Sequence, residues 1–256
     1  MNTVELVDLD AALPARGLRV IYAENIPSPW SQAALGLFDI KGFDYRLVPY
    51  RKFREAIRER TGAQNAPVVL HDDDPPRTGW ADILALAQRL GGRVSLVPDD
   101  QEQEVRMFGL CHALMSEGGL GWSVRLLLTH ASLTTDGREG WPLQVATYLA
   151  PKYGYAPERA DVARARAIAV LNLLARTLDG HGGTYMLGHA LTALDVYAAV
   201  TLGVMVPLPH EVCPMPAVLR HAVGTLDSQV RAAVSPSLLR HREMMYARHL
   251  RTPVQL

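Results

Sequence analysis

The longest apolar stretch of the chain, from Ala193 to Val206, contains a single charged residue, Asp195. A helix that is hydrophobic nearly all round is buried rather than laid on a surface. Thr192 stands three residues before Asp195, the spacing at which a threonine hydroxyl and an acidic side chain cap each other's backbone N–H. Leu191 and Val196 flank the cap as a hydrophobic staple requires. The pattern therefore predicts a buried helix over 193–206 whose start is fixed by Thr192 and Asp195 acting structurally. A second helical period runs from Arg159 to Leu178, with Val162, Ala165, Ile168, Leu171, Ala175 and Leu178 on one stripe. Asp99 and Asp100 open another helix, with Glu102 and Glu104 in its first turn, which reaches Met115 and Gly118-Gly119. Further helices are predicted over 122–128, 217–234 and 237–249. The stretch 139–155 has two prolines and several aromatics and no clear period.

The first third reads differently. Leu18–Ala23, Asp44–Pro49 and Val68–Leu70 are short runs suited to strands. Helical segments alternate with them, from Pro29 to Gly42 with Ser28 as N-cap, from Arg51 to Arg60, and from Trp80 to Leu90 before Gly91-Gly92. The order β-α-β-α-β-turn-α predicts an α/β unit, followed by an all-helical one. The expected boundaries are an N-terminal extension over 1–16, the α/β unit over 17–93 and the helical unit over 99–256.

Composition narrows the function. The chain has 256 residues, 26 basic against 26 acidic, with 48% hydrophobic and 20% charged residues. Zero formal net charge leaves no electrostatic footprint for nucleic acid or an anionic membrane. No leader peptide is expected in 1–16, which carry Glu5, Asp8 and Asp10, and no apolar run is long enough to cross a bilayer. Cys111 and Cys213 match no disulfide or metal pattern, so a reducing, cytoplasmic location is expected. No metal is expected either, since His241 and His249 are eight residues apart. Gly119-Leu120-Gly121 follows no strand and is no dinucleotide fingerprint.

Ser28 is the first candidate for chemistry. It stands where a strand gives way to a helix, so unpaired N–H groups and the positive end of the helix dipole meet there and favour an anion. Ala66-Pro67 is the second, because a proline entering a sheet lacks a ladder donor.

Ser28-Pro29-Trp30-Ser31, Asn65-Ala66-Pro67-Val68-Val69 and Leu187-Gly188 through Asp195, in this order and spacing, resemble the cytosolic glutathione transferases, including bacterial ones. The resemblance covers about 16–250. It implies a thioredoxin-like domain followed by an all-helical domain, glutathione as co-substrate, and a two-fold homodimer. The implied activity is that of a transferase or lyase that activates the glutathione thiol against a small, hydrophobic electrophile. The alternative is a non-catalytic small-molecule binding protein on the same scaffold. By resemblance, Ser28 or Tyr22 would hold the thiolate. Ala66 before a cis Pro67 would pair with the cysteinyl backbone, Trp30 belongs to the glutathione site, and Lys52, with Arg51, would reach the glycyl carboxylate. The family's acid-Ser pair for the γ-glutamyl group is replaced by Thr78-Gly79, so a side-chain acid would have to come from Asp82 or the Asp72-Asp73-Asp74 turn. Met107, Cys111, Met115 and Trp122 are the candidates for the second-substrate pocket.

Overall fold

Along the central strands, alternate side chains enter two different cores, as a two-residue period dictates. The computed structural model describes residues 2–256. In the first unit, β1 (Val4–Leu6), α1 (Leu9–Ala12), β2 (Leu18–Tyr22), α2 (Pro29–Lys41), β3 (Tyr45–Pro49), α3 (Arg54–Thr61), β4 (Val68–His71) and α4 (Trp80–Arg89) follow one another. The sheet order is β1-β3-β2-β4, with β4 alone antiparallel to its neighbour. Leu18, Val20, Tyr22, Leu47 and Val69 face the main core with α2 and α4. Ile21, Val48, Val68 and Leu70 face a smaller one with Leu9 of α1 and Ile57 of α3.

The expected extension over 1–16 is not a bare one, because β1 within its described residues lies on the sheet edge, paired in parallel with β3 from Val4↔Tyr45 to Leu6↔Leu47. Glu5 and Leu6 of this strand are exposed, so neither apolar alternation nor a turn signal marks it. Beyond β4, a single antiparallel bridge between Val69 and Arg77 stands in place of a further strand.

The second unit contains α5 (Gln101–Met115), α6 (Leu120–Thr134), α7 (Leu143–Lys152), α8 (Arg159–Gly180), α9 (Ala193–Met205), α10 (Ala217–Gly224), α11 (Ser228–Ala232) and α12 (Pro236–Arg248). Among the described residues, no helix is long and apolar enough to cross a membrane. α7 fills part of the stretch that had no clear period. The single helix expected over 217–234 is two, because Asp227 accepts from the N–H groups of Gln229 and Val230 and caps a new start. The buried face of α8 is shifted from the expected stripe, of which Leu171 and Leu178 are buried, Ile168 and Ala175 half-buried, and Val162 and Ala165 exposed. Ala160, Ala163, Ala167, Val170, Leu171 and Leu174 face inward, while Val162 is 69% exposed. α8 packs on α6, α12, α11 and α5.

α9 runs through the centre and packs on α2, α5 and α12. Its capping box is present, and Asp195 does more than cap. One oxygen, Oδ2, accepts from the Thr192 N–H at 2.8 Å and from the Thr192 hydroxyl at 2.9 Å. The other, Oδ1, accepts from the Met186 N–H at 2.8 Å and from His241 Nε2–H at 2.9 Å. Asp195 and His241 are both fully buried. Four donors thus compensate one desolvated carboxylate and tie the loop before α9 to α12. Thr192→Ala should cost about 1 kcal/mol, the usual loss of a cap. Asp195→Ala strands several buried donors and should cost on the order of 3 kcal/mol or more. Urea unfolding checks the ranking, and equal midpoints for the two variants would contradict it.

Candidate active site

The loop from Ala23 to Ser28 carries β2 into α2 and is held from both sides. The Ser31 hydroxyl oxygen accepts from the Ala23 N–H at 3.1 Å, and the Glu24 carboxylate accepts from the N–H groups of Arg51 and Lys52. Ser28 is the N-cap of α2, in extended conformation, with Pro29 in the first turn. Its carbonyl accepts from the Gln32 N–H at 2.8 Å, while its side chain makes no capping hydrogen bond. The backbone of Ser28 therefore starts the helix and the hydroxyl is left for other use. That separates two roles which the sequence left combined.

Tyr22 fits a different role from the expected one. It is buried in the main core, and its hydroxyl lies 3.5 Å from the Leu256 carbonyl oxygen. Burial raises its pKa, opposite to what a thiolate-activating phenol needs. Ser31 is fully buried and occupied by Ala23.

Ala66-Pro67 is cis, as expected. Trp30, Pro67, Thr78 and Trp80 line one narrow crevice of about 10 Å³, with Ala33 and Tyr197 at its floor. Three of the residues predicted from separate segments are thus brought together. The Trp30 indole N–H donates to the Met115 carbonyl at 2.7 Å, and the Trp80 indole N–H to Ser116 Oγ at 2.9 Å. Both contacts fix the mouth of the crevice to the end of α5.

Gly79 is the N-cap of α4, and a β-carbon there would stand 2.6 Å from Asp82 Oδ2. The exposed Asp82 carboxylate thus folds over the helix start beside Thr78. The other suggested acids are elsewhere. Asp72 accepts from the Gly17 N–H, Asp73 pairs with Arg16, and Asp74 pairs with Arg77 and Arg89. Because His71 pairs with Leu18 while Val68 pairs with Ile21, this turn lies at the end of the sheet away from Ser28. Lys52 is likewise engaged, its ammonium 2.6 Å from Asp8.

Three expected pocket residues are corrected. Met107 and Cys111 are completely buried and Met115 nearly so; all three pack in the core and line no open surface. The Cys111 thiol is pushed well up by desolvation and then by Asp195, which makes it inert at neutral pH. Trp122 is half-buried, stacked edge-on against Tyr153 at 4.5 Å.

The sequence reading missed a group of cations near this mouth. Arg125 lies over the Trp30 ring at 4.7 Å and donates to the Tyr153 hydroxyl at 3.0 Å. Lys152 donates to Asn65 Oδ1, immediately before Ala66-Pro67, and Arg54 donates to the Tyr148 hydroxyl at 3.0 Å. The signal was the interleaving of Pro151-Lys152-Tyr153-Gly154-Tyr155 in the aperiodic stretch. A larger cleft, about 210 Å³, lies on another face between β1, α2, α12 and the C-terminal residues, and none of the predicted site residues line it.

No protein-family model matches the sequence, and no curated protein sequence matches it. Solved structures do match in three dimensions. A glutathione S-transferase of Methylobacterium radiotolerans in complex with glutathione sulfonate is 20% identical, with TM-score 0.60 over 90% of this chain and 91% of that one. Another, of Methylobacillus flagellatus with glutathione bound, is 13% identical with TM-score 0.61 over 91% and 96%. The chain has the glutathione transferase fold. A maleylacetoacetate isomerase of Methylobacterium extorquens, with bound malonate and glutathione, is 16% identical with TM-score 0.53 over 88% and 95%. On a glutathione transferase fold, the thioredoxin-like unit corresponds to the first half described above and the helical unit to the second.

The Lys152 ammonium is turned onto Asn65, and desolvation there, followed by the charges of Arg125 and Arg54, lowers its pKa to about 8. The chain has only two other lysines. Lys41 is buried on Gln88 and the Val94 carbonyl, and Lys52 is paired with Asp8. A neutral amine is the reactive form, so limited acylation should label Lys152 first among the lysines, with a rate that levels off above about pH 8. Peptide mapping reads it out. A rate still climbing through pH 10 would contradict the lowered pKa.

Proposed function

We propose that this chain is a glutathione-dependent enzyme in which Ser28 holds the glutathione thiolate. The observation that carries the reading is the Ser28 hydroxyl, uncommitted to capping at the start of α2, two residues before the Trp30 that lines the crevice with Pro67. Glutathione is bound in two of the similar structures and glutathione sulfonate in a third, which supports the choice of thiol.

The chemistry follows from the position. The cysteinyl part lies along the Ala66 backbone as an added strand. The sulfur sits at the N-terminal end of α2, where the helix dipole and a donated Ser28 O–H favour thiolate over thiol. A free thiol titrates at about 8.5, so lowering it by one or two units makes most of the bound thiol nucleophilic at neutral pH. The thiolate pair then forms a C–S bond to an electrophilic carbon. Either a leaving group departs with its bonding pair, or the π pair of a double bond moves to the next carbon and is protonated by water. Asp82, folded over the start of α4, takes the γ-glutamyl ammonium in place of the family's acid-Ser pair. We also propose a cytoplasmic, two-fold homodimer; sedimentation as a monomer at micromolar concentration would contradict the latter.

A binding protein without catalysis is the second reading, favoured by the tight crevice and by Thr78-Gly79. Turnover separates the two. With glutathione and 1-chloro-2,4-dinitrobenzene, Ser28→Ala should lose at least about tenfold in kcat while binding S-methylglutathione normally. Asp82→Asn should instead weaken S-methylglutathione about tenfold, the usual scale for a charge-assisted hydrogen bond. Absence of binding at millimolar glutathione would overturn the enzyme reading.

A further inference from the structure

Arg54 at the start of α3, Arg125 on α6 and Lys152 at the end of α7 converge from three separate elements. Each is held by a neutral partner: the Tyr148 hydroxyl, the Tyr153 hydroxyl and Asn65 Oδ1 respectively. Among the described residues, none of the three has a carboxylate within ion-pair distance. Some cations elsewhere have acids, as Lys52 has Asp8 and Arg164 has Asp161 and Asp227, while others such as Lys41 and Arg220 rest on neutral acceptors; what sets these three apart is that they lie together. The mutual repulsion is felt, since Arg125 and Arg54 both help to lower the Lys152 pKa.

The aromatic rings shape what fits there. Arg125 stacks on Trp30 at 4.7 Å and on Tyr153 at 5.8 Å, and Arg54 lies 5.5 Å from the Tyr148 ring centre. Stacking fixes a guanidinium plane without using its N–H groups, and five donors on each arginine exceed the one hydroxyl each contacts. Clustered cations with spare donors and no counter-ion favour an anion, most of all a planar carboxylate that two N–H groups can grip. The cluster also borders the thiol site, because Lys152 touches the residue before Ala66 and Arg125 covers the ring two residues after Ser28.

We propose that Arg125 and Lys152, supported by Arg54, hold a carboxylate of the electrophile, so that the second substrate is a flat, anionic, carboxylate-bearing molecule. This rests on the glutathione reading above and replaces the small hydrophobic electrophile expected from the sequence. Glutathione carries carboxylates of its own, the other source of the same chemistry, and Lys52 is already occupied by Asp8.

Calorimetry with inert probes separates these sources. 4-Nitrobenzoate and its neutral isostere 4-nitrobenzamide are titrated into protein saturated with S-methylglutathione, and S-methylglutathione is titrated separately. The wild type should bind the benzoate in preference to the amide. Lys152→Gln and Arg125→Gln should each weaken the benzoate about tenfold, leaving the amide and S-methylglutathione within twofold. Lys152 is exposed enough for its variant to fold, and an unchanged urea midpoint confirms this. Equal binding of benzoate and amide would overturn the proposal. So would variants that weaken S-methylglutathione and spare the benzoate, which would assign the cations to glutathione. Benzoate binding that the variants weaken, with no binding of S-methylglutathione, would sustain the anion site and sink the glutathione reading.

Discussion

A single buried carboxylate carries the architecture. Asp195 is fully enclosed, and it is tolerable only because four donors from three segments converge on it. The loop before α9, the first turn of α9 and α12 are thereby held in one geometry. Since α9 packs on α2, α5 and α12, the cap sets the position of the helix against which α2 leans. The acid acts on function only through this frame. None of its hydrogen-bond partners, Met186, Thr192 and His241, lines the crevice.

From that frame the site is assembled by a few directional contacts. Tyr197 of α9 donates to the Trp80 carbonyl at 3.2 Å and packs edge-on against the Trp80 ring at 5.7 Å. Trp80 in turn reaches Ser116, and Trp30 reaches the Met115 carbonyl. Two tryptophans from the α/β unit are thus fixed to the end of α5, one at the start of α2 and the other at the start of α4. Helix starts are where unpaired N–H groups and positive dipole ends lie, so the contacts that join the two units also aim both anion-favouring ends at one mouth.

Much of this was legible in the sequence because it rests on local rules. Ser28-Pro29 marks a helix start by backbone chemistry alone, and Thr192 with Asp195 marks another. The all-apolar α9 announces its own burial. Features that depend on distant partners were not legible. β1 has three residues and two of them are exposed, so only its pairing with β3 defines it. On α8 the buried face follows from the elements that pack around it, and periodicity alone did not single it out. Met107 and Cys111 sit at helical spacing either for a pocket or for a core, and only the packing of α5 against α9 assigns them to the core. His241 was visible only as half of a poor metal pair, because its partner lies 46 residues away. The cations around Asn65 escaped for the same reason, since they come from α3, α6 and the stretch without a period.

Two properties of the molecule make its proposed chemistry accessible to a clean optical test. Its own thiols are buried, with pKa values raised by desolvation, so Cys111 and Cys213 contribute little thiolate at neutral pH. Ultraviolet difference absorbance of the thiolate, followed against pH with glutathione bound, therefore reports the ionisation at Ser28. A Ser28 hydroxyl donating at the positive end of α2 predicts a midpoint at least about one unit below that of free glutathione in the wild type. Ser28→Ala should move that midpoint back towards the free value. A bound thiol that titrates like free glutathione in both proteins would contradict thiolate stabilisation at Ser28.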